Sequence, residues 1–260
     1  MNVAELKHTQ TNIEGGGEVI ILNTGATIGP EAEAMLQALH SRSIGGLRSH
    51  LDVLGKRGPD NFMKNFYVGY GHKSIGDCGT ISLFIEGVSM LAAKAIQDWA
   101  LYSGQEASTR YIDFKIQPFK NPLGTKEGEE LIEAWRTFYM DSMEETKEHL
   151  KKQFPMQTDE TESIYDKAIS ARAFDALRGF LPAGATTNLA WHTNLRQAAD
   201  KVALLRHHPL LEIRNVGVAI EKALQTAFPN SFGHKYYENT ETYNEFWMQN
   251  DYYYHNRECK

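Results

Sequence analysis

The apolar stripe between residues 129 and 154 constrains the fold of this chain more than any other feature of its sequence. Apolar side chains recur there every three or four residues, at Leu131, Ile132, Trp135, Phe138, Tyr139 and Met143. This spacing puts them along one side of an α-helix. Further helices are predicted over Ile164–Leu181, which Pro182 ends, over Thr186–Leu205, and from Pro209 to about Ala227. The second half of the chain is therefore predicted to be helical.

The first half of the chain mixes short strand-like runs with helices. Two β-branched runs, Glu18–Asn23 and Thr80–Glu86, are predicted to be strands, and Gly87 is predicted to end the second. The predicted helices are Glu31–Ser41 behind Pro30, Ile44–Leu54, Asn61–Val68 and Val88–Ala100. The segment Ser103–Phe114 is polar, with strand character at its end. These elements predict an α+β fold, in which a small, mainly antiparallel sheet is flanked by long helices.

The domain organisation follows from these elements. With 42% hydrophobic residues, a chain of 260 residues can bury a substantial core. We predict a flexible N-terminal lead over residues 1–17, a single domain over residues 18–228, and an aromatic C-terminal tail over residues 229–260. The tail carries Tyr236, Tyr237 and Tyr252 to Tyr254, and this aromatic content indicates a subunit contact.

Composition excludes several classes of protein. The net charge of -6 lacks the basic surplus of proteins that grip nucleic acids without regard to sequence, so no direct nucleic-acid binding is expected. No run approaches the roughly 20 apolar residues that span a bilayer, and no membrane association is expected. The two cysteines, Cys78 and Cys259, are far apart, which favours a reducing cytoplasm. The adjacent His207 and His208 diverge on a helix, and we expect no metal site.

The segment from Ser103 to Tyr111 is the most informative for chemistry. It places the carboxylate of Glu106, the hydroxyl of Ser108 and the guanidinium of Arg110 at alternate positions, which share one face of an extended chain. A guanidinium binds phosphate through two parallel hydrogen bonds, and Glu106 can accept from a sugar hydroxyl or a ring N–H. The alternative is a polar turn in which Glu106 and Arg110 form an ion pair.

This segment resembles the signature of the flavin-dependent thymidylate synthases, the ThyX family, which reads R-H-R-x-x-S-x-N-E-x-S-x-R-Y. The residues that match at the family spacing are Ser103, Glu106, Ser108, Arg110 and Tyr111, with Gln105 in place of Asn. Other family elements are resembled, in the same order, by Gly71-His72-x-Ser74, Arg178 to Pro182, Asn194-Leu195-Arg196, Leu205-Arg206 and Glu212-Ile213-Arg214. The spacing between the last elements differs by one or two residues. The resemblance covers about residues 30–228.

One part of the signature is replaced. The Arg-His-Arg positions, which contact flavin in the family, hold Asp98-Trp99-Ala100. The first family arginine also approaches the nucleotide phosphate, and Asp98 reverses its charge. Two like charges about 4 Å apart repel by roughly 1 to 4 kcal/mol, which argues against a phosphate at that place. The local alternative for Asp98 is an ion pair with Lys94, one turn earlier. The indole of Trp99 can stack on a ligand or fill the core.

The resemblance implies a role for each matched residue. It implies that deoxyuridine monophosphate (dUMP) is bound by Glu106, Ser108, Arg110, Arg178 and Arg206, with Arg206 and Ser108 taking part in catalysis. It implies that flavin adenine dinucleotide (FAD) is bound by His72, Ser74, Asp77, Asn194 and Arg196. Local alternatives remain for several of them: Arg178 can pair with Asp175 on its own helix, Asn194 and Arg196 can cap or brace helices, and Arg206 can cap a helix before Pro209.

The implied function is flavin-dependent methylation of dUMP to thymidylate, or a related modification of a pyrimidine nucleotide. In the family, NADPH and methylenetetrahydrofolate are co-substrates, and the sites are built across a homotetramer. One alternative is a catalytically degraded nucleotide-binding subunit that partners an intact homologue. A third class is a helical interaction module without nucleotide chemistry.

Overall fold

The computed structural model describes residues 8–22, 29–41, 46–233 and 235–251. The chain divides into two compact units. The first unit comprises Met1–Glu86, Lys94–Gln105 and Asn188–Lys260, and the second comprises Gly87–Ala93 and Glu106–Thr187. Long helices accompany a small sheet, so the α+β prediction is confirmed.

Within the described residues, five strands form one sheet. They are β1 (His8–Asn12), β2 (Glu18–Leu22), β3 (Thr80–Ser89), β4 (Ser103–Glu106) and β5 (Thr186–Asn194), in the order β1-β2-β3-β5-β4. Strands β1, β2 and β3 pair antiparallel, with Asn12 opposite Glu18 and Val19 opposite Ile85. The turn between β1 and β2 uses Gly15, Gly16 and Gly17, all at positive φ, which glycine adopts without steric cost.

Helices of the first unit enclose its part of this sheet. They are α1 (Pro30–His40), α2 (Gly46–Arg57), the short α3 (Asp60–Phe62) with the π-helical turn Met63–Gly69, the 3₁₀ helix Lys73–Cys78, α7 (Leu195–Leu205), α8 (Leu211–Ala227) and α9 (Glu238–Phe246) with the π-helical turn Trp247–Asp251. Alternate residues of β3, namely Ile81, Leu83 and Ile85, are buried. Helix α8 packs against β1 and β2, which covers one sheet face with the apolar side of a helix.

The second unit is built on two long helices. Helix α5 (Lys126–Gln153) begins at Thr125, whose hydroxyl accepts from the N–H of Gly128, and it packs against α6 (Glu162–Leu177). The unit also contains the 3₁₀ helices Thr109–Tyr111 and Arg178–Phe180. Its core consists of Phe114, Tyr139, Phe174, Leu177 and Ala185. Helix α4 (Met90–Gln97) lies inside the predicted Val88–Ala100.

The predicted helix Thr186–Leu205 is wrong in its first half. Residues 186–194 form β5, and the helix begins only at Leu195. Side chains of β5 alternate between buried and less buried positions, with Trp191 fully buried, which is the two-residue period of a strand. Asn194 ends the strand and caps α7, because its side-chain oxygen accepts from the N–H of Gln197 at 2.8 Å.

Three smaller expectations also differ from the structure. Gly87 does not end β3: it takes a φ of 66° inside the strand, so the backbone is redirected and pairing continues to Ser89. The lead predicted as flexible contains β1, which Gly15 to Gly17 fold back onto β2. Strand character in Ser103–Phe114 lies at the start of the segment, in β4, rather than at its end.

The C-terminal tail also carries regular structure, because α9 and the following π-helical turn occupy residues 238–251. Tyr252 to Tyr254 and Cys259 lie outside the described residues. In the part of the chain that is described, no helix has the length and apolarity needed to cross a bilayer.

Candidate functional site

A cavity of about 180 Å³ lies in the first unit, between α7, α8 and the C-terminal segment. Its lining includes Tyr67, Arg196, Arg206, Glu221, Tyr236 and Glu241. Small-molecule pockets commonly measure about 300 to 1,000 Å³, so this cavity can enclose only part of a nucleotide or a flavin. Both Arg196 and Arg206 were predicted as site residues from the sequence, and the fold brings them to one cavity.

Arg206 is the C-terminal cap of α7, as its local alternative predicted. The approach of α8 sets its surroundings, because Gly217 lies against the backbone of Leu205 and Arg206. A Cβ at Gly217 would come within 2.9 Å of the Arg206 nitrogen. This close approach brings Glu221, one turn further along α8, to 3.4 Å from Nε of Arg206. The Arg206 side chain is therefore largely buried among acidic neighbours rather than projecting into solvent.

Tyr67 also lines the cavity and is almost fully buried. Burial raises the pKa of Tyr67, and the carboxylates of Asp200 and Asp77 raise it further, so the phenol stays protonated. Gly76 makes room for this ring, since a Cβ there would lie 2.6 Å from it. The phenol can therefore serve as a hydrogen-bond donor at neutral pH.

Some of the residues implied for FAD binding are already bonded to other residues of the chain, and others are exposed. Nε of Arg196 lies 2.7 Å from Oδ1 of Asp77, which braces α7 against the 3₁₀ helix Lys73–Cys78. Asn194 is occupied as the cap of α7. His72 and Ser74 are exposed at the start of the 3₁₀ helix, and their side chains are accessible to a ligand.

The Asp98-Trp99-Ala100 segment is bound to α7. The indole N–H of Trp99 donates to Oε1 of Gln197 at 3.0 Å, and the ammonium of Lys201 donates to the carbonyl oxygen of Asp98 at 2.8 Å. Lys201 also lies 5.5 Å from the centre of the Trp99 ring, within cation–π range. Trp99 is half-buried, and its indole packs against α7.

Lys201 is almost completely buried beneath this segment. Burial lowers the pKa of Lys201 to about 8, although the Asp98 carboxylate favours the charged form. Relative to its ordinary value of 10.5, keeping this ammonium charged at pH 7 costs on the order of 3 kcal/mol. Lys201 thus contacts both Asp98 and Trp99 while its buried charge lowers stability.

We therefore expect Lys201→Met to raise the free energy of unfolding by about 1–3 kcal/mol at pH 7. Between pH 8 and 10.5 the unfolded chain holds more protons than the folded one at this lysine, so wild-type stability rises with pH there. The difference in free energy of unfolding between Lys201→Met and the wild type should therefore shrink across the same interval. Urea unfolding at several pH values measures this difference. Lys94→Met, on the exposed surface of α4, is the matched control, and an equal gain there would contradict the assignment.

The second unit holds the other predicted site residues. The guanidinium of Arg110 contacts Asp175 through two hydrogen bonds, Nε to Oδ1 at 3.2 Å and Nη2 to Oδ2 at 2.6 Å. Nη1 of Arg178 lies 3.7 Å from Oδ1 of the same carboxylate. Hydrogen bonding from Arg110 holds the pKa of Asp175 below its usual value against the opposing effect of burial. Two guanidinium groups thus converge on one anion, as they would on a phosphate.

Glu106 and Ser108 shortly precede Arg110 in the sequence. The hydroxyl of Ser108 accepts from the backbone N–H of Arg110 at 3.4 Å, which caps the 3₁₀ helix Thr109–Tyr111. Glu106 ends β4 and is exposed. The expected local pairing of Asp175 with Arg178 is present, and Asp175 is also the partner of the Arg110 guanidinium.

The predicted site residues therefore fall into two groups. His72, Ser74, Asp77, Asn194, Arg196 and Arg206 belong to the first unit, and Glu106, Ser108, Arg110 and Arg178 belong to the second.

Several residues with a place in the site were missed from the sequence. Gln197 and Lys201 are four residues apart on α7, and that spacing was the available signal that both face the same neighbour. Glu221 and Glu241 carry no such signal, because only folding brings them to Arg206. Among the residues that the structure describes, no cluster of three or more His, Cys, Asp or Glu side chains is arranged to hold a metal ion.

Comparisons with known proteins identify relatives of this chain. Two chlamydial proteins named UPF0159 protein are similar to this chain. The one from Chlamydia muridarum is 28% identical over 222 residues, which is 74% of this chain and 42% of that protein. The one from Chlamydia pneumoniae is 29% identical over 169 residues, which is 60% of this chain and 32% of that protein. The chain thus spans less than half the length of the curated relatives it matches.

A family match covers most of the chain. The sequence profile described as thymidylate synthase complementing protein (Thy1) matches residues 29–230. This region contains β3 to β5 and every predicted site residue, from His72 to Arg206. The chain therefore belongs to the thymidylate synthase complementing protein family.

Proposed function

We propose that this chain binds a pyrimidine nucleotide and carries out thymidylate-synthase-like chemistry on it, with methylation of dUMP to thymidylate as the first candidate reaction. The observation that supports this most is the convergence of Arg110 and Arg178 on the carboxylate of Asp175. A guanidinium that already makes a two-pronged contact with a carboxylate has the geometry to make one with a phosphate. Family membership supplies the substrate class.

The cavity of the first unit supports a role in recognising the base. Its volume of about 180 Å³ accommodates a small ring but not a whole nucleotide. Arg206 provides hydrogen-bond donors there, and a cation beside a ring oxygen stabilises negative charge that builds on that oxygen during reaction. Tyr67 also lines this space.

Some of the residues implied for flavin binding suit a flavin, and others do not. Arg196 lines the cavity, and the exposed His72 and Ser74 can contact a flavin phosphate or ring edge. Asp98-Trp99-Ala100 cannot reproduce the cationic contacts of Arg-His-Arg. When bound, reduced flavin would supply hydride and methylenetetrahydrofolate the carbon, while the protein orients the nucleotide and excludes water. By the same resemblance we propose NADPH as reductant, and a cytoplasmic homotetramer as the working assembly.

A second candidate function is a nucleotide-binding subunit that braces an intact homologue. The observation that favours it is the way α7 binds the Trp99 segment. Gln197 engages the indole N–H and Lys201 engages the Asp98 carbonyl, so this segment already has protein partners where the family contacts flavin. Subunits that share sites across an interface tolerate one member that contributes binding without chemistry.

Two measurements on the purified chain separate these functions. The first is a visible absorption spectrum after incubation with FAD and desalting, and the second is calorimetric titration with dUMP. If the chain is a synthase, we expect a retained flavin band together with dUMP binding. If it is a nucleotide-binding subunit, we expect dUMP binding without retained flavin. Absence of dUMP binding, with or without flavin, would overturn the proposed function.

A further inference from the structure

The C-terminal segment beyond the family match contributes to the cavity. The match ends at residue 230, whereas residues 235–251 continue into α9 and the last π-helical turn. From this segment Tyr236 and Glu241 line the cavity together with Arg206 of α7 and Glu221 of α8. A wall of the cavity is therefore made by residues that the family profile does not describe.

Contacts around Arg206 enclose its guanidinium on several sides. Nη2 of Arg206 donates to Oε1 of Glu241 at 3.2 Å and lies 3.1 Å from its Oε2. The Tyr236 ring covers the face of the guanidinium, with 4.7 Å from Cζ to the ring centre. Oε1 of Glu221 lies 3.4 Å from Nε of Arg206. The side chain has only 15% exposure.

Two further hydrogen bonds stabilise these partners. Nε2 of His207 donates to Oε2 of Glu241 at 2.9 Å, and the hydroxyl of Tyr236 donates to Oε1 of Glu221 at 2.6 Å. Burial opposes ionisation of Glu241, yet hydrogen bonds from His207 and Arg206 hold the pKa of that carboxyl below its usual value. Glu241 is thus an ionised carboxylate held by hydrogen bonds from Arg206 and His207, which follow the end of α7.

This arrangement leaves one end of the guanidinium available. Among the described residues, Nη1 of Arg206 makes no hydrogen bond, so its two N–H groups can serve a ligand in the cavity. Glu221 and Glu241 place two negative charges beside the single positive charge of Arg206. A guanidinium flanked by two carboxylates favours a neutral oxygen acceptor, such as a ring carbonyl, over a phosphate.

We propose that Glu241 is a positioning residue, contributed by a segment outside the family region, that holds Arg206 with its Nη1 group directed to the carbonyl edge of a nucleobase. This inference rests on the proposed function, because it assigns the base end of the nucleotide to the cavity. The partner is thus a neutral heterocycle with an exocyclic oxygen, of the uracil class. Glu241 acts through Arg206, whose guanidinium it holds.

Calorimetric titration with dUMP tests the role of Glu241. Glu241→Gln keeps the shape of the side chain but removes its charge, and we expect dUMP to bind about tenfold more weakly, the effect of one hydrogen bond to a charged group. Glu241→Asp, which keeps the charge, should recover part of the loss. Glu238→Gln, one turn earlier on the exposed side of α9, is the matched control and should change the affinity less than twofold.

A double-mutant cycle distinguishes positioning from a general structural effect. In an Arg206→Gln background, Glu241→Gln should have almost no further effect, because its partner is gone. A full tenfold loss in that background would overturn the proposal, as would unchanged affinity in the single variant. A gain in affinity would also overturn it, since Glu241 would then obstruct the cavity.

An independent readout separates this inference from the proposed function. Nitrogen-15 NMR of arginine side chains, with the Arg206 signal assigned by its loss in Arg206→Gln, reports how tightly the guanidinium is held without any nucleotide. Glu241→Gln should accelerate rotation of the Arg206 guanidinium, and Glu238→Gln should not. If the wild-type chain binds no dUMP, the proposed function fails, and unchanged rotation in Glu241→Gln overturns the positioning role on its own.

Discussion

Replacing Arg110 by alanine is expected to weaken dUMP binding by about 10- to 150-fold. A hydrogen bond to a charged group contributes about 1.5–3 kcal/mol, and the Arg110 guanidinium is arranged to make two such bonds at once. Its present partner is the carboxylate of Asp175, at 2.6 Å from Nη2. The loss of Arg110 also leaves that carboxylate near the incoming phosphate with Arg178 as its remaining guanidinium neighbour, which adds repulsion.

Calorimetric titration at fixed ionic strength measures this effect, because phosphate contacts weaken as salt screens them. Arg172→Ala is the matched control, because it also removes one guanidinium charge, in this case from α6. In the structure Arg172 lies 4.3 Å from the centre of the Phe154 ring, as a cation–π partner. Arg110→Lys should retain attraction but lose the two-pronged geometry, and bind with intermediate affinity. Arg196→Ala should have a smaller effect than Arg110→Ala. Equal affinities for wild type and Arg110→Ala would remove the phosphate assignment.

Trp191→Ala is expected to lower the free energy of unfolding by about 3–5 kcal/mol. Trp191 is among the largest fully buried side chains in the described part of the chain, and it lies in the middle of β5 in the first unit. Truncation of a buried aromatic residue removes its apolar contacts and leaves a cavity that the surroundings fill only in part. Because β5 continues into α7, the loss should also loosen the attachment of Asn194 and the helix that carries Arg196 and Arg206.

Trp191→Phe gives a sharper test of the same position. The indole nitrogen of Trp191 is buried without a hydrogen-bond partner among the described residues. Phenylalanine removes that unsatisfied donor, which costs about 1–3 kcal/mol when buried, and this offsets part of the lost contact area. We expect Trp191→Phe to cost far less than Trp191→Ala.

Urea unfolding followed by circular dichroism measures both variants of Trp191. His192→Ala, on the opposite face of β5, is the control. It loses one surface hydrogen bond, to Ser82, and should cost about 1 kcal/mol or less. A cost for Trp191→Ala no greater than that of His192→Ala would contradict the packing described for β5.

Helices with a long apolar stripe could be predicted from the sequence. The stripe of α5 recurs over many turns, so local periodicity alone identifies the helix, and the observed bounds Lys126–Gln153 differ from the prediction by a few residues. For β5 the local signal was ambiguous. Its run of alternating residues leads directly into the apolar pattern of α7, so the sequence predicts a single helix over both segments. What separates them is pairing within the sheet and the cap at Asn194, and pairing depends on strands distant in sequence.

The same distinction applies to the candidate site. Residues of the motif Ser103 to Tyr111 could be selected from the sequence because their order and spacing match a family signature, and this segment lies inside the family match over residues 29–230. The partner of Arg110 could not be predicted from the sequence. Sequence proximity favoured Glu106, whereas the two-pronged contact of the Arg110 guanidinium is with Asp175, 65 positions away. Charged groups interact according to distance in space, and distance in the chain carries little information about it.

By itself, then, the sequence determined the fold class, the family and the identity of the chemical groups, because these depend on local periodicity and on motif spacing. Tertiary structure alone decided which of those groups meet. It placed Glu221 and Glu241 around Arg206, and it bound the Trp99 segment to Gln197 and Lys201. The physical reason is that burial and electrostatic pairing depend on contacts between distant segments, and those contacts exist only once the chain has folded.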